Sequence, residues 1–151
     1  MLSSAQPILY AEDDENDAFF MRHAFSRAGL TERLVIVPDG QQAIHYLEGA
    51  GLYADRDAHP LPSLVLLDLN LPARSGFDVL GWIRQQPPFL RLPVVIFSSS
   101  NHQRDIDEAR ALGANEYCVK PSDISHRVAI VTDLHRRWIN SNGNGSTHTA
   151  S

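Results

Sequence analysis

Five short apolar runs punctuate the chain: PILYA at 7–11, RLVIV at 33–37, SLVLLD at 63–68, PVVIFS at 93–98 and EYCVK at 116–120. They are rich in β-branched residues or leucine, and LVLL and VVIF are continuous rather than alternating. A strand with one wet face alternates, whereas a strand covered on both faces does not, so these runs predict a buried parallel sheet. Between them the apolar positions change to helical spacing. The first set is Ala18, Met21, Phe25 and Ala28, ended by Gly29, which suits the left-handed residue that closes a helix. The others are Ala43, Ile44 and Leu47; Phe77, Leu80 and Ile83; Ile106, Ala109 and Leu112 before Gly113; and Val128, Val131, Leu134 and Trp138. Parallel neighbours need crossover connections, so this alternation predicts a doubly wound α/β domain with five parallel strands and helices on both faces.

Two stretches break the rhythm. GAGLYADRDAHPLP at 49–62 is too polar and too rich in Gly and Pro for a core element, so it is expected to extend the loop after the second helix and is a candidate partner surface. NSNGNGSTHTAS at 140–151 has almost nothing to bury and is expected to be disordered. The expected organisation is an N-terminal extension over 1–6, one domain over 7–139 and a tail over 140–151, with no internal repeat.

Composition narrows the function classes. At 151 residues and 43% hydrophobic content the chain suits one domain. A net charge of −5, with Arg136-Arg137 as the only basic cluster, argues against nucleic acid as the main partner. The single cysteine, Cys118, rules out a disulfide framework and reads as a small packed hydrophobe in a reducing cytoplasm. MLSSAQP is no signal peptide, and no apolar run approaches the ~20 residues that span a bilayer, so a soluble cytoplasmic protein is expected. The histidines are scattered without metal-ligand spacing.

In an open α/β sheet, ligands sit beyond the carboxyl ends of the strands. There the first strand runs into Glu12, Asp13 and Asp14, the third ends at Asp68, the fourth at Ser98 and the fifth at Lys120. An acidic helix entrance capped by Asp14 would account for EDDEND alone. It would not account for Asp68, a carboxylate placed after four apolar residues, where desolvation is costly. Two like charges at about 4 Å repel by roughly 4 kcal/mol at an effective dielectric near 20, so grouped acids call for a cation. Carboxylate oxygens, a backbone carbonyl and water suit magnesium. Singly, the serines read as turn formers and Lys120 as a surface charge; together, acids, hydroxyl and ammonium on one sheet edge point to phosphoryl transfer, with Asp68 as nucleophile.

ILYAEDDEND, DGQQAIHYL, LVLLDLNLPARSGFDVL, LPVVIFSSS and ALGANEYCVKP, in this order, resemble the response-regulator receiver domain of two-component signalling across residues 7–138. The resemblance implies strand order 2-1-3-4-5, flavodoxin-like. It implies that Asp68 accepts a phosphoryl group from a sensor histidine kinase or a phosphotransfer protein. Asp13, Asp68 and the Asn70 carbonyl would hold the magnesium ion, with Glu12, where many members carry Asp, acting directly or through water. Ser98 takes the place of the switch hydroxyl, Lys120 would pair with the phosphoryl charge, and Tyr117 matches the aromatic switch. The Lys120–Pro121 bond is often cis in such domains.

The Glu-Asp pair, the long 49–62 loop and DLNLP look most similar to stand-alone receivers associated with phytochrome-type bacterial kinases. The implied protein is a signalling module rather than an enzyme. Its output surface would lie near the fourth and fifth helices, read by another protein or by a second copy of the chain. Two alternatives stand beside this. One is a haloacid-dehalogenase-type phosphatase, which Asn70 disfavours because such enzymes need an Asp there to shuttle a proton. The other is a pseudo-receiver that is never phosphorylated. Asn70 and Ser100 occupy positions that in this family govern water's access to the phosphoryl group, and neither is bulky, so a short-lived acyl phosphate is expected.

Overall fold

Every apolar run forms a strand and every helical spacing a helix in the computed structural model, which describes residues 6–140. The order is β1 (Ile8–Ala11), α1 (Glu15–Ala28), β2 (Leu34–Val37), α2 (Gly40–Glu48), β3 (Leu64–Leu67), α3 (Gly76–Gln85), β4 (Val94–Ser98), α4 (Gln103–Ala111), β5 (Glu116–Val119) and α5 (Ile124–His135). The strands pair in parallel in the order β2-β1-β3-β4-β5, as the resemblance implied.

The continuous runs are explained by the two cores they serve. Leu9, Ala11, Val65, Leu67, Val94 and Ile96 face a core shared with α2, α3 and Ala109 of α4. The residues between them, Ile8, Tyr10, Leu64, Leu66, Val95 and Phe97, face Met21, Ala24 and Phe25 of α1 and Val131 and Leu134 of α5. Neither side of the central strands meets water, so nothing polar is selected there until the strands end.

Local chemistry sets the helix limits. The Asp14 carboxylate accepts hydrogen bonds from the backbone N–H groups of Asn16 and Asp17 at the start of α1, and Gly29, at φ 72°, closes it in the left-handed region. Asp39, Ser75 and Asp123 cap α2, α3 and α5 in the same way. Past His135 the last helix continues as a π-helical segment, Arg136–Asn140.

The 49–62 stretch is more ordered than an extended loop. It contains a 3-10 turn, Gly51–Tyr53, and folds back on α2. The Arg56 guanidinium donates to the carbonyls of Tyr46 (2.8 Å) and Leu47 (2.6 Å), oxygens that the end of α2 leaves without intrahelical partners, and to the His59 carbonyl (3.0 Å) of the loop itself. Tyr46 and Tyr53 tie it further, donating to the Pro60 carbonyl and the Gln42 side chain. Cys118 is half-buried against the α1/α5 core, and burial pushes its thiol up to about 11, in keeping with a packed hydrophobe. Among the described residues no helix is long and apolar enough to cross a membrane. The tail beyond Asn140 and the first five residues lie outside the described residues.

Candidate functional site

The carboxyl ends of β1, β3, β4 and β5 converge on one cleft of about 630 Å³, beside β1 and β3 where the strand order reverses. Main-chain bonds fix the strand exits. Glu12 N–H donates to the Val37 carbonyl (2.9 Å), Asp68 N–H to Ala11 (3.2 Å) and Lys120 N–H to Ser98 (2.8 Å). Glu12 and Asp68 are therefore buried where their strands leave the sheet, and Asp13 is exposed beside them. One carboxylate oxygen from each of the three lies within 4.8 Å of the others.

Lys120, just past the end of β5, brings a positive charge to this cluster. Its Nζ donates to Glu12 Oε1 at 2.7 Å, Asp17 Oδ2 at 2.8 Å and Asp68 Oδ2 at 2.9 Å. An ammonium has three N–H bonds, and three carboxylates take them. Glu12 also accepts from the Tyr10 hydroxyl at 2.8 Å and from the Asp14 backbone N–H at 3.1 Å, while Asp68 Oδ1 accepts from the Asn70 N–H at 3.2 Å.

The pKa directions follow from this competition. Burial pushes the Glu12 carboxyl above its usual range and the charge of Asp68 adds to that, with the bonds from Lys120 and Tyr10 pulling back only part of the way. Burial acts upward on Asp17 as well, but Lys120 and Arg127 together hold it below the usual range. Burial alone would lower Lys120; its bonds to Asp17, Glu12 and Asp68 more than reverse this, so the ammonium stays charged.

Asn70 lines the cleft with Glu12, Asp13, Asp68 and Lys120. Ser98 lies beneath it, fully buried, its hydroxyl accepting from the Ser100 N–H at 3.1 Å, and Ser99 presents the β4 end to the cleft instead. Tyr117 is half-buried and stands aside, donating from its hydroxyl to the Ser100 carbonyl at 2.8 Å. Among the described residues every peptide bond is trans, Lys120–Pro121 included, where the resemblance pointed to cis; trans is the intrinsically favoured isomer even before proline.

Three contributors escape a reading by strand ends. Tyr10 sits within β1 and reaches Glu12 from below. Asp17 lies in the first turn of α1, three residues after the Asp14 cap, and reaches Lys120 from there. Arg127, buried on α5, bonds Asp17 Oδ1 at 3.2 Å. An all-oxygen donor set of three carboxylates suits a hard divalent cation and offers nothing to a soft one.

A family model described as response regulator receiver domain matches residues 8–132, a stretch that holds every residue of this cleft. Response regulator Rcp1 of Synechocystis is 31% identical over 132 residues, covering 87% of this chain and 88% of its own length. A solved Mn2+-bound form of response regulator Rcp1 aligns with a TM-score of 0.78 at 30% identity, over 89% of this chain and 95% of that one. RPA3017, a response regulator in red light signaling of R. palustris, aligns with a TM-score of 0.86 at 36% identity, over 91% and 96% of the two chains. The phosphorylated cyanobacterial phytochrome response regulator RcpA aligns with a TM-score of 0.81 at 33% identity, with coverage of 91% and 96%. The expected receiver fold and the likeness to phytochrome response regulators are both borne out.

Proposed function

Because the chain belongs to the response-regulator receiver family, we propose that it takes a phosphoryl group on Asp68 from a phosphohistidine of a sensor histidine kinase or of a phosphotransfer protein. The observation that carries this is a buried carboxylate at the exit of β3, bonded to a buried lysine inside a cluster of acids. An Asp68 oxygen attacks phosphorus, the P–N bond of the donor breaks, and its electron pair returns to the imidazole. Lys120, charged and already on Asp68 Oδ2, pairs with the incoming phosphoryl oxygens. Glu12, Asp13, Asp68 and the Asn70 carbonyl would hold a magnesium ion, which neutralises charge on the transferred group.

Ser98 would trade its bond from Ser100 for one to the phosphoryl oxygen, and Tyr117 would leave the Ser100 carbonyl as that loop moves. The changed surface near α4 and α5 is then read by another protein or by a second copy of the chain. The donor favoured by the likeness to phytochrome response regulators is a phytochrome-type kinase in the cytoplasm, and the chain works as a signalling module, not as an enzyme that turns over substrate.

Intact mass after incubation with acetyl phosphate and magnesium tests the reading. Native protein is expected to gain one phosphoryl group, and Asp68→Asn or a sample with the metal chelated none. No gain in native protein, under conditions where another receiver is labelled, would hand the cleft to a pseudo-receiver. The small Ser100 leaves water access to the phosphoryl group, so Ser100→Tyr is expected to lengthen the acyl-phosphate lifetime severalfold, read from loss of the mass increment after donor removal. An unchanged decay would place water's route elsewhere.

A further inference from the structure

The chain contains one lysine, Lys120, and twelve arginines, of which Arg127 is among the buried polar residues. Arg127 donates to both Asp17 Oδ1 (3.2 Å) and the Asp17 carbonyl (3.4 Å), and to the Pro121 carbonyl (3.3 Å). Its guanidinium carbon lies 5.1 Å from the centre of the Phe97 ring and 5.8 Å from that of Phe20. One buried cation thus touches the acid that grips Lys120, the residue that follows Lys120 and the residue that precedes Ser98.

A well-packed apolar side chain at this place would stabilise the α1/α5 contact as well as a buried ion pair does, or better. The ion pair has another consequence. The two Asp17 oxygens are divided, Oδ2 to Lys120 and Oδ1 to Arg127, so the carboxylate cannot turn without breaking one of the bonds. We propose that Arg127 is a positioning residue for phosphorylation: through Asp17 and the Pro121 carbonyl it fixes the direction from which Lys120 meets Asp68. This rests on the phosphoacceptor reading of Asp68. A phosphoryl group on Asp68 must take over a Lys120 N–H. Asp17, held by Arg127, stays behind as a fixed tether while that bond is exchanged. Without Arg127 the Asp17 carboxylate follows the ammonium, and Lys120 loses its set direction.

The single lysine makes the test direct. In full-length protein labelled with 13C-lysine, the side-chain NMR signals report Lys120 alone. In Arg127→Met these signals are expected to move from their native positions towards those of a mobile lysine and to sharpen. The initial rate of phosphorylation by acetyl phosphate is expected to fall about tenfold, since small misplacements at a reacting centre have effects of this order or larger. Asp17→Asn, a part-exposed and isosteric change, is expected to do the same, and it carries the test if Arg127→Met fails to fold. The double variant should be no slower than either single one, because Arg127 acts through Asp17. Native Lys120 signals in a folded Arg127→Met or Asp17→Asn protein would overturn the proposal, and so would rate losses that multiply. Lys120 signals that move as expected, in a protein whose native form takes no phosphoryl group, would sink the phosphoacceptor reading and leave the tether standing.

Discussion

Replacing Lys120 with methionine is expected to destabilise the protein by about 3–5 kcal/mol at neutral pH, because Glu12 and Asp68 would keep their burial and lose their counter-ion, and Asp17 would keep only Arg127. The lysine and its partners Glu12 and Asp68 each expose less than a tenth of their side chains, so water cannot replace the missing charge. The sign of the pH dependence follows. In the native protein Asp17 is held below its usual range by Lys120 and Arg127, although its burial acts the other way. That contribution is present above the unfolded pKa of about 4 and is lost as pH falls through the folded value. In the variant, the Lys120 bonds that pull Glu12 and Asp17 down are gone, and the folded Glu12 pKa, already raised by burial, rises further. A raised carboxyl favours the fold below its unfolded pKa and gives that up as pH rises through the folded one. The variant should therefore recover stability as pH falls towards the unfolded Glu12 value of about 4.3, and recover more than native protein, whose Glu12 is raised less. Added magnesium should stabilise it too, by about 2.7 kcal/mol at a free concentration one hundred times the dissociation constant. Urea melts at two pH values, with and without the ion, give the result. A loss under about 1 kcal/mol, or a loss that deepens on acidification, would mean that the acids do not repel one another as their distances require.

Much of this arrangement is written in short-range patterns. The continuous runs LVLL and VVIF announce strands with a core on each side, and the acids and the lysine stand where those runs stop. What was not legible depends on partners far away in sequence. On α5, Val128, Val131 and Leu134 read as the buried stripe, whereas the fully buried residues are Arg127, Val131 and Leu134. Only the first position differs, Arg127 for Val128, and that is visible only if an arginine is allowed into the stripe. What allows it is Asp17, 110 positions earlier. Ser98 was legible as a strand end, but not its complete burial, which follows from its hydroxyl turning to the Ser100 N–H. The 49–62 stretch looked free because its composition is polar. Its order comes from one side chain, Arg56, that reaches the open carbonyls of the helix before it.

Gly76→Ala is expected to disturb the acceptor severely although it removes none of the site's side chains. A Cβ built there would stand 2.2 Å from the Asp68 carbonyl oxygen and 2.7 Å from Leu69 Cα, both of them backbone. No side chain can swing away. Gly76 N–H also donates to the Leu69 carbonyl at 2.9 Å, which pins the start of α3 to the residue after Asp68. The glycine is needed for this close approach and not for a left-handed conformation, since its φ is not positive. To admit the methyl, the exit of β3 or the first turn of α3 must shift by an ångström or so. The strain should destabilise by about 3 kcal/mol, the upper end for overpacking. Carrying Asp68 with it, the shift should slow phosphorylation about a hundredfold, as displacements of that size do at reacting centres. Gly81→Ala, in the same helix with nothing within 4 Å of the added Cβ, is the matched control. That change should leave the phosphorylation rate alone and raise stability by about 0.5–1 kcal/mol through helix propensity. If the two variants melt alike and take up phosphate alike, the close packing of α3 against the Asp68 carbonyl is not what holds the acceptor in place. If they part as expected, the position of the acceptor is fixed by the absence of a side chain eight residues further on.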